Sequence, residues 1–407
     1  MNNRFKIGIQ VALLLCFFAS FMVHAQEWKA HYLKGAASFE KQQIDRALNY
    51  LDSALQNREN IQVLDLQAAI LLKKKDLNAA LKTLQRMNYL SRGAADYQLA
   101  VLYAKKEHPD SAFYFLERHL SSRFQEKQSS LEEEKAFLSL QLDERWNELV
   151  NDFYGNERDI AYYKVEELLA EDDLIEALQL SNTYLRENND WHEMYSLRAR
   201  ILTSMGELDK ALDDLNVAFD IRKGIQENYR LRAKLNAQMG NYKMAADDFR
   251  KYLYRNPTDF PVYLDYAEVE AASGDFDAAH DILDEYAQWF PEDDELIYVR
   301  AKIYTEQGKY LQTLRLTGKL IEKDPSKTKY FELRGDSYVA TKTYRYALGD
   351  YSMGLDLEPR NADLYFKKGN VRYLMKDIDG ACKDWEKASR YGHREAAKKY
   401  VDHCRNR

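Results

Sequence analysis

The sequence predicts an all-α protein built as a solenoid of repeated helix pairs. The first observation is a period. Ala177, Ala211, Ala245, Ala279, Thr313, Ala347 and Ala381 follow one another at intervals of 34 residues, and a fixed period of roughly 20 to 50 residues marks a repeat architecture. The second is that further columns keep the same register. Ala199, Ala233, Ala267, Ala301, Gly335 and Gly369 are all small, Gly206, Gly240, Gly274 and Gly308 form a third column, and Pro257, Pro291, Pro325 and Pro359 a fourth. The third is composition. With 6 Pro and 16 Gly in 407 residues the chain is poor in turn and strand punctuation, and 45% hydrophobic with 31% charged residues describes a folded, well-solvated chain.

Residues 1–25 read as a secretory signal peptide. Arg4 and Lys6 precede an apolar run from Ile7 to Val23, and Val23-His24-Ala25 suits signal peptidase, so the mature chain is expected to begin at Gln26. The alternative is an uncleaved anchor, for which this run lies at the short end of the spanning range and is interrupted by Gln10. Lipidation at Cys16 does not fit, because Leu15 precedes it where a small residue is wanted and Phe17-Phe18 follow. No later segment has the length of apolar run that spans a bilayer, so no membrane insertion is expected after cleavage. The net charge of −7 becomes more negative once Arg4 and Lys6 are removed. That argues against a nucleic-acid partner, which needs a basic footprint.

Residues 26–128 form a degenerate N-terminal array. Gly35, Ala47, Leu51 and Ala54 fit one repeat, Leu77, Ala80 and Leu84 a second, and Leu99, Ala100, Tyr103, Ala112 and Leu116 a third, with Ala47, Ala80 and Ala112 spaced by 33 and 32 residues. Residues 129–157 break the register. They carry Phe137, Leu140, Trp146, Leu149 and Val150, which predicts short helices burying an aromatic plug in a joint between two arrays. Residues 158–392 hold seven repeats. Small side chains on facing helices let the axes approach, glycine in the left-handed conformation ends the first helix, and proline stops the second before the next repeat. Large residues fill the complementary slots: Tyr195, Tyr229, Tyr263, Ile297, Phe331 and Tyr365 in one column, Leu215, Phe249, Leu283, Tyr351 and Trp385 in another. Residues 393–407 read as one more helix and the C-terminus, since the last repeat would otherwise expose its apolar face.

The segments GDSYVATKTYRYALGDYSMGLDLEP from Gly335 to Pro359 and GNVRYLMKDIDGACKDWEKA from Gly369 to Ala388 resemble the tetratricopeptide repeat. The resemblance is strong from Asp159 to Gly392 and weak upstream. It implies an α-solenoid of antiparallel helix pairs wound into a right-handed superhelix, here with a C-terminal capping helix, whose concave face binds peptides or other proteins. The expected function is a protein-interaction scaffold exported to the cell envelope, periplasmic or secreted. The alternatives are a structural or assembly subunit of an envelope or secretion complex, a role similar exported bacterial proteins often have, and an enzyme with an unrecognised site.

No catalytic constellation supports the enzyme reading. His31, His108, His119, His192, His280, His393 and His403 are scattered, no H-E-x-x-H or G-x-S-x-G occurs, and Gly318-Lys319 has no glycine-rich loop before it. The cysteine spacing does not resemble a metal site, so neither metal nor cofactor is expected.

A column that the family fills with hydrophobic residues reads here Lys164, Arg198, Arg232, Tyr266, Arg300, Arg334 and Lys368, and sixteen residues after its members stand Asp214, Asp248, Ile282, Leu316, Asp350 and Asp384. Cation and carboxylate vary together, which predicts the intra-repeat ion pairs Arg198–Asp214, Arg232–Asp248, Arg334–Asp350 and Lys368–Asp384, because a partly buried charge needs a partner. Arg300, facing Leu316, must reach another acid or solvent. The other two cysteines, Cys382 and Cys404, are each 11 residues from His393. A chain reversal there sets them opposite each other, and in an exported chain that predicts a disulfide.

By the family resemblance, two columns of the first helices point into the groove: Tyr162, Ser196, Arg230, Leu264, Tyr298, Glu332 and Phe366, and Glu166, Arg200, Lys234, Glu268, Lys302, Asp336 and Asn370. Arg200, Arg230 and Lys234 form a basic spot, with Tyr298 and Lys302 further along. The expectation is that a partner segment combining an acidic residue with an aromatic or apolar anchor docks there. The alternative is a surface neutralised by Glu166, Glu193, Glu227 and Glu268.

Overall fold

The computed structural model describes residues 27–57, 59–122 and 128–404. The signal-peptide reading of residues 1–25 and the last three residues lie outside that range. Among the described residues all regular structure is helical, and no helix is long and apolar enough to cross a membrane.

Three helix pairs come first: α1 (27–40) with α2 (Ile44–Asn57), α3 (Ile61–Lys74) with α4 (Leu77–Leu90), and α5 (Asp96–Lys105) with α6 (Pro109–Leu120). The joint follows as α7 (Gln128–Glu133), a 3-10 turn at Lys135–Phe137 and α8 (Glu144–Tyr154). Next come α9 (Glu157–Ala170) and α10 (Leu174–Glu187), α11 (His192–Ser204) and α12 (Leu208–Ile221), α13 (Gln226–Gln238) and α14 (Tyr242–Arg255). Four more pairs complete the series: α15 (Phe260–Ser273) with α16 (Phe276–Trp289), α17 (Asp294–Glu306) with α18 (Tyr310–Lys323), α19 (Thr328–Ala340) with α20 (Tyr344–Leu357), and α21 (Ala362–Leu374) with α22 (Ile378–Arg390). α23 (Arg394–Cys404) ends the chain. Two compact units result, Met1–Met239 with Tyr254–Thr258, and Gly240–Leu253 with Asp259–Arg407.

One turn geometry repeats throughout. Gly206, Gly240, Gly274 and Gly308 adopt φ between 73 and 92°, the left-handed conformation that glycine enters without steric cost. The same register places Asp172, Lys342 and Lys376 at φ 63, 59 and 65°. Upstream, Gln42, Lys75 and Glu107 have φ 59, 64 and 59°, each five residues before Ala47, Ala80 or Ala112. The degenerate array therefore uses the same helix turn as the regular one, with a non-glycine residue in it. An aspartate commonly follows and caps the second helix: Asp76, Asp173, Asp275 and Asp377 accept from the backbone N–H three residues on, at 3.0 to 3.2 Å.

Volume compensates between the helices of a pair. Tyr351 and Trp385, both fully buried, lie against Gly335 and Gly369, where an added Cβ would sit 2.6 Å from the ring. Where the small residue is Ala199 or Ala267, the residue sixteen positions later is only a leucine, Leu215 or Leu283. The joint buries Phe137, Leu140, Trp146 and Leu149 in one cluster with Leu84, Leu99 and Leu116, closing the end of the N-terminal array. At the other terminus α23 buries Ala396 against Ala381, Trp385 and Ala388. The Cys382 and Cys404 Cα atoms are 5.7 Å apart with their sulfurs at bonding distance, so the pair is disulfide-capable.

Two ion pairs of the cation column are bidentate. Arg198 donates to Asp214 from Nε at 2.7 Å and Nη2 at 2.6 Å, and Arg334 to Asp350 at 2.8 and 2.7 Å. Arg300 reaches Asp284 at 2.8 Å. Arg232 and Asp248 belong to different units. Within its own, Arg232 donates to Asn216 at 3.2 Å and lies over the Phe219 ring, while Asp248 is 3.9 Å from Lys251. The expected Lys368–Asp384 pair is corrected: Asp384 is contacted by Arg372 at 3.0 Å, one helical turn beyond Lys368, and Lys368 acts on it only at longer range. The longer guanidinium reaches the buried carboxylate from the exposed end of α21. Burial is the largest influence on both groups, lowering the Lys368 pKa and raising that of Asp384 against the pull of Arg372.

Candidate functional site

In the regular array the cations expected to greet a partner are already engaged. Within the first unit, Arg200 is 3.5 Å from Glu166 and Arg230 is 2.7 Å from Glu227. Lys234 has a partner as well. Within the second, Lys302 is 2.7 Å from Glu268, Lys329 is 2.6 Å from Glu295, and Lys367 lies 2.7 Å from both Glu332 and Asp336. Most of these pairs join residues 34 or 35 apart, that is, the first helices of successive repeats. Tyr298 packs against Tyr330 with Lys329 over its ring. The self-neutralised surface is what the structure shows. Arg200, Arg230 and Lys234 belong to the first unit, and Tyr298 and Lys302 to the second.

An open groove of about 780 Å³ lies instead in the N-terminal array. α3 lines it with Asp65, Ala69 and Lys73, and α5 with Tyr97, Val101 and Lys105. Each triplet is spaced i, i+4, i+8 and so occupies one helix face. Leu72 of α3, Gln98 of α5, Met87 from α4, His119 from α6 and Glu134 of the joint add to the lining. The joint matters for the shape, because buried Phe137 meets Tyr97 edge to face at 5.9 Å and holds that ring at the groove wall. His119 packs against Tyr97 with ring centres 5.3 Å apart and the planes tilted by 50°, and burial lowers its pKa to about 4, leaving the imidazole neutral at physiological pH. Asp96, the neighbour of Tyr97 in the chain, is buried 3.3 Å from Arg118, and desolvation raises its pKa against the pull of that cation.

The left-handed turn supplies the register that the residues alone concealed. Asp65 and Tyr97 stand ten residues before Lys75 and Glu107, as Tyr298 does before Gly308, and Ala69 and Val101 stand six before, as Lys302 does. The groove is therefore lined by the two columns read as inward-facing. In the regular array the second column is Glu166, Arg200, Lys234, Glu268, Lys302, Asp336 and Asn370. In the degenerate array it is Ala36, Ala69 and Val101. Loss of the long charged side chains opens an apolar floor.

A series of helix pairs turned by a repeated left-handed residue, with small-on-large packing between the two helices, defines an α-solenoid. Residues 237–303 match the tetratricopeptide repeat family, so the solenoid carries tetratricopeptide repeats there. A tetratricopeptide repeat protein from Parabacteroides merdae has a similar fold, with TM-score 0.54 and 18% identity over 60% of this chain and 97% of that one. Yeast Tom70 aligns over 93% of this chain and 96% of its own at 16% identity and TM-score 0.40. A repeat protein fragment from Cytophaga hutchinsonii aligns over 60% and 99% at 16% identity and TM-score 0.40. No curated protein matches the sequence.

Proposed function

We propose that the protein is a non-enzymatic interaction scaffold of the cell envelope that holds an extended segment of another protein in the groove between α3 and α5. The observation that carries this reading is the apolar floor of Ala69 and Val101, in the column where the regular array has charged residues such as the paired Glu166 and Arg200 or Glu268 and Lys302. Solenoids present surfaces, and function lies in the site grafted on the fold. Export is supported by the Arg4, Lys6 and Ile7–Val23 pattern and by a cysteine pair at bonding distance, a combination at home in an oxidising compartment.

Two measurements test it. N-terminal sequencing of the protein recovered from the envelope fraction should start at Gln26, and a chain starting at Met1 overturns export. A photo-crosslinking amino acid at Ala69 should capture a discrete partner band in cells. If a partner band forms from a crosslinker at exposed Tyr254 and none forms from Ala69, the groove is not the binding site.

A further inference from the structure

The groove carries a charge asymmetry that specifies its occupant. Along α3 and α5 the lining falls into three layers, each four residues, about one helical turn or ~6 Å, from the next. At the first, Gln98 donates from its side-chain nitrogen to Asp65. The middle layer is Ala69 and Val101, with Leu72 beside them. The last is Lys73 and Lys105, both exposed at the groove rim.

These two lysines differ from the cations of the regular array. Arg200, Arg230, Lys302, Lys329 and Lys367 each have a carboxylate within 3.5 Å. Lys73 instead lies 4.7 Å from the centre of the Phe39 ring, and neither Lys73 nor Lys105 has an ion pair among the described residues. Their column, two residues before the left-handed turn, holds Ala170, Ser204, Gln238, Ala272, Glu306, Ala340 and Leu374 in the regular array, so a pair of cations is peculiar to this groove. Two polar atoms of lining residues are also unsatisfied, Gln98 Oε1 and His119 Nε2, and buried polar atoms ordinarily have partners.

Resting on the scaffold reading above, we infer that the groove binds an extended segment in which an internal acidic side chain sits two positions from an apolar one. The spacing follows from geometry. An extended chain rises about 3.3 Å per residue, so side chains on one face recur every ~6.6 Å, close to the one-turn step between the layers. The carboxylate lies between Lys73 and Lys105, and the apolar side chain covers Ala69 and Val101. The segment's next inward group meets the Gln98 layer. The carboxylate is that of a side chain, because both lysines are exposed at the rim and the segment runs past them into solvent.

The test is selection of a displayed random heptapeptide library on the purified mature chain and on its Lys73→Glu/Lys105→Glu variant. Both substitutions are on exposed side chains, so an unchanged thermal melt is expected. The parent should enrich Asp or Glu two positions from Leu, Ile, Val or Met. The variant should enrich Lys or Arg at that position and bind the parent's peptides at least about tenfold more weakly. Enrichment without an acid preference, a preference untouched by the variant, or no enrichment overturns the inference. A crosslink from Ala69 obtained alongside any of those results leaves the scaffold reading standing, so the two failures are distinguishable.

Discussion

Tyr286 Oη donates a hydrogen bond to Asp293 Oδ2 at 2.6 Å, tying the end of α16 to the residue that caps α17. Thirty-four residues earlier Tyr252 donates to Asp259 at 2.7 Å in the same way. Tyr286→Phe removes one such tie while keeping the ring. It should cost about 1 kcal/mol, read as a melting temperature lower by about 2–4 °C. An unchanged melt shows that the tie is made equally well by water.

Buried phenols also set the response to alkali. Tyr263, Tyr266, Tyr286, Tyr298 and Tyr351 all have raised pKa values with burial as the first cause, and that of Tyr298 is pushed up to about 12. The unfolded phenol titrates near 10. Between those values the native state binds more protons than the unfolded chain, so stability is fully present below pH ~10 and falls as pH rises above it. Tyrosinate absorbance should therefore appear together with loss of helicity. Ionisation of all the tyrosines near pH 10 with helicity intact contradicts this.

Gly335 lies where a Cβ would meet Tyr351 at 2.6 Å, and that ring is 1% exposed. Gly335→Ala should destabilise by about 1–3 kcal/mol through overpacking. Adding Tyr351→Leu to the Gly335→Ala variant should recover much of the loss, since leucine faces alanine in other repeats. A double mutant that merely sums the two single losses rules out the volume coupling.

Lys342 holds φ 59° at a position where four repeats use glycine. A side chain in this conformation costs about 1–2 kcal/mol, partly offset by the greater freedom glycine has when unfolded. Lys342→Gly should stabilise by up to about 1 kcal/mol in denaturant titration, and Gly274→Ala should destabilise. A loss at Lys342→Gly shows that the lysine makes a compensating contact.

The Arg334–Asp350 pair leaves the Asp350 side chain 7% exposed. Asp350→Lys sets two cations together in that interior and should cost about 3–5 kcal/mol, as breaking a buried pair does. Asp284→Lys, at the exposed carboxylate facing Arg300, should cost less than about 1 kcal/mol. Equal melts for the two variants contradict the ranking.

Cys382 and Cys404 are separated by 22 residues. A bridge across that loop contributes roughly 3 kcal/mol in the chain-entropy model, so reduction should loosen α23 first, seen as faster amide exchange over Arg394–Cys404. Two labelled thiols in the denatured, unreduced protein show that no bridge had formed.

The sequence alone determined the repeat: its 34-residue period, the Gly206 column of helix ends, the proline stops, and the ion pairs Arg198–Asp214 and Arg334–Asp350, whose partners vary together. These are legible because each depends on local turn chemistry or on one fixed offset between two adjacent helices. The tertiary structure alone decided three other matters. Arg372 rather than Lys368 holds Asp384, because reach and burial choose among neighbouring cations. The basic residues Arg200, Arg230 and Lys302 are neutralised by carboxylates on their own helix or one repeat away, a distance that a composition count does not resolve. The apolar groove at Ala69 and Val101 was hidden because its repeats are spaced by 33 and 32 residues, so its columns align with the rest only once the left-handed turns at Lys75 and Glu107 supply a common origin.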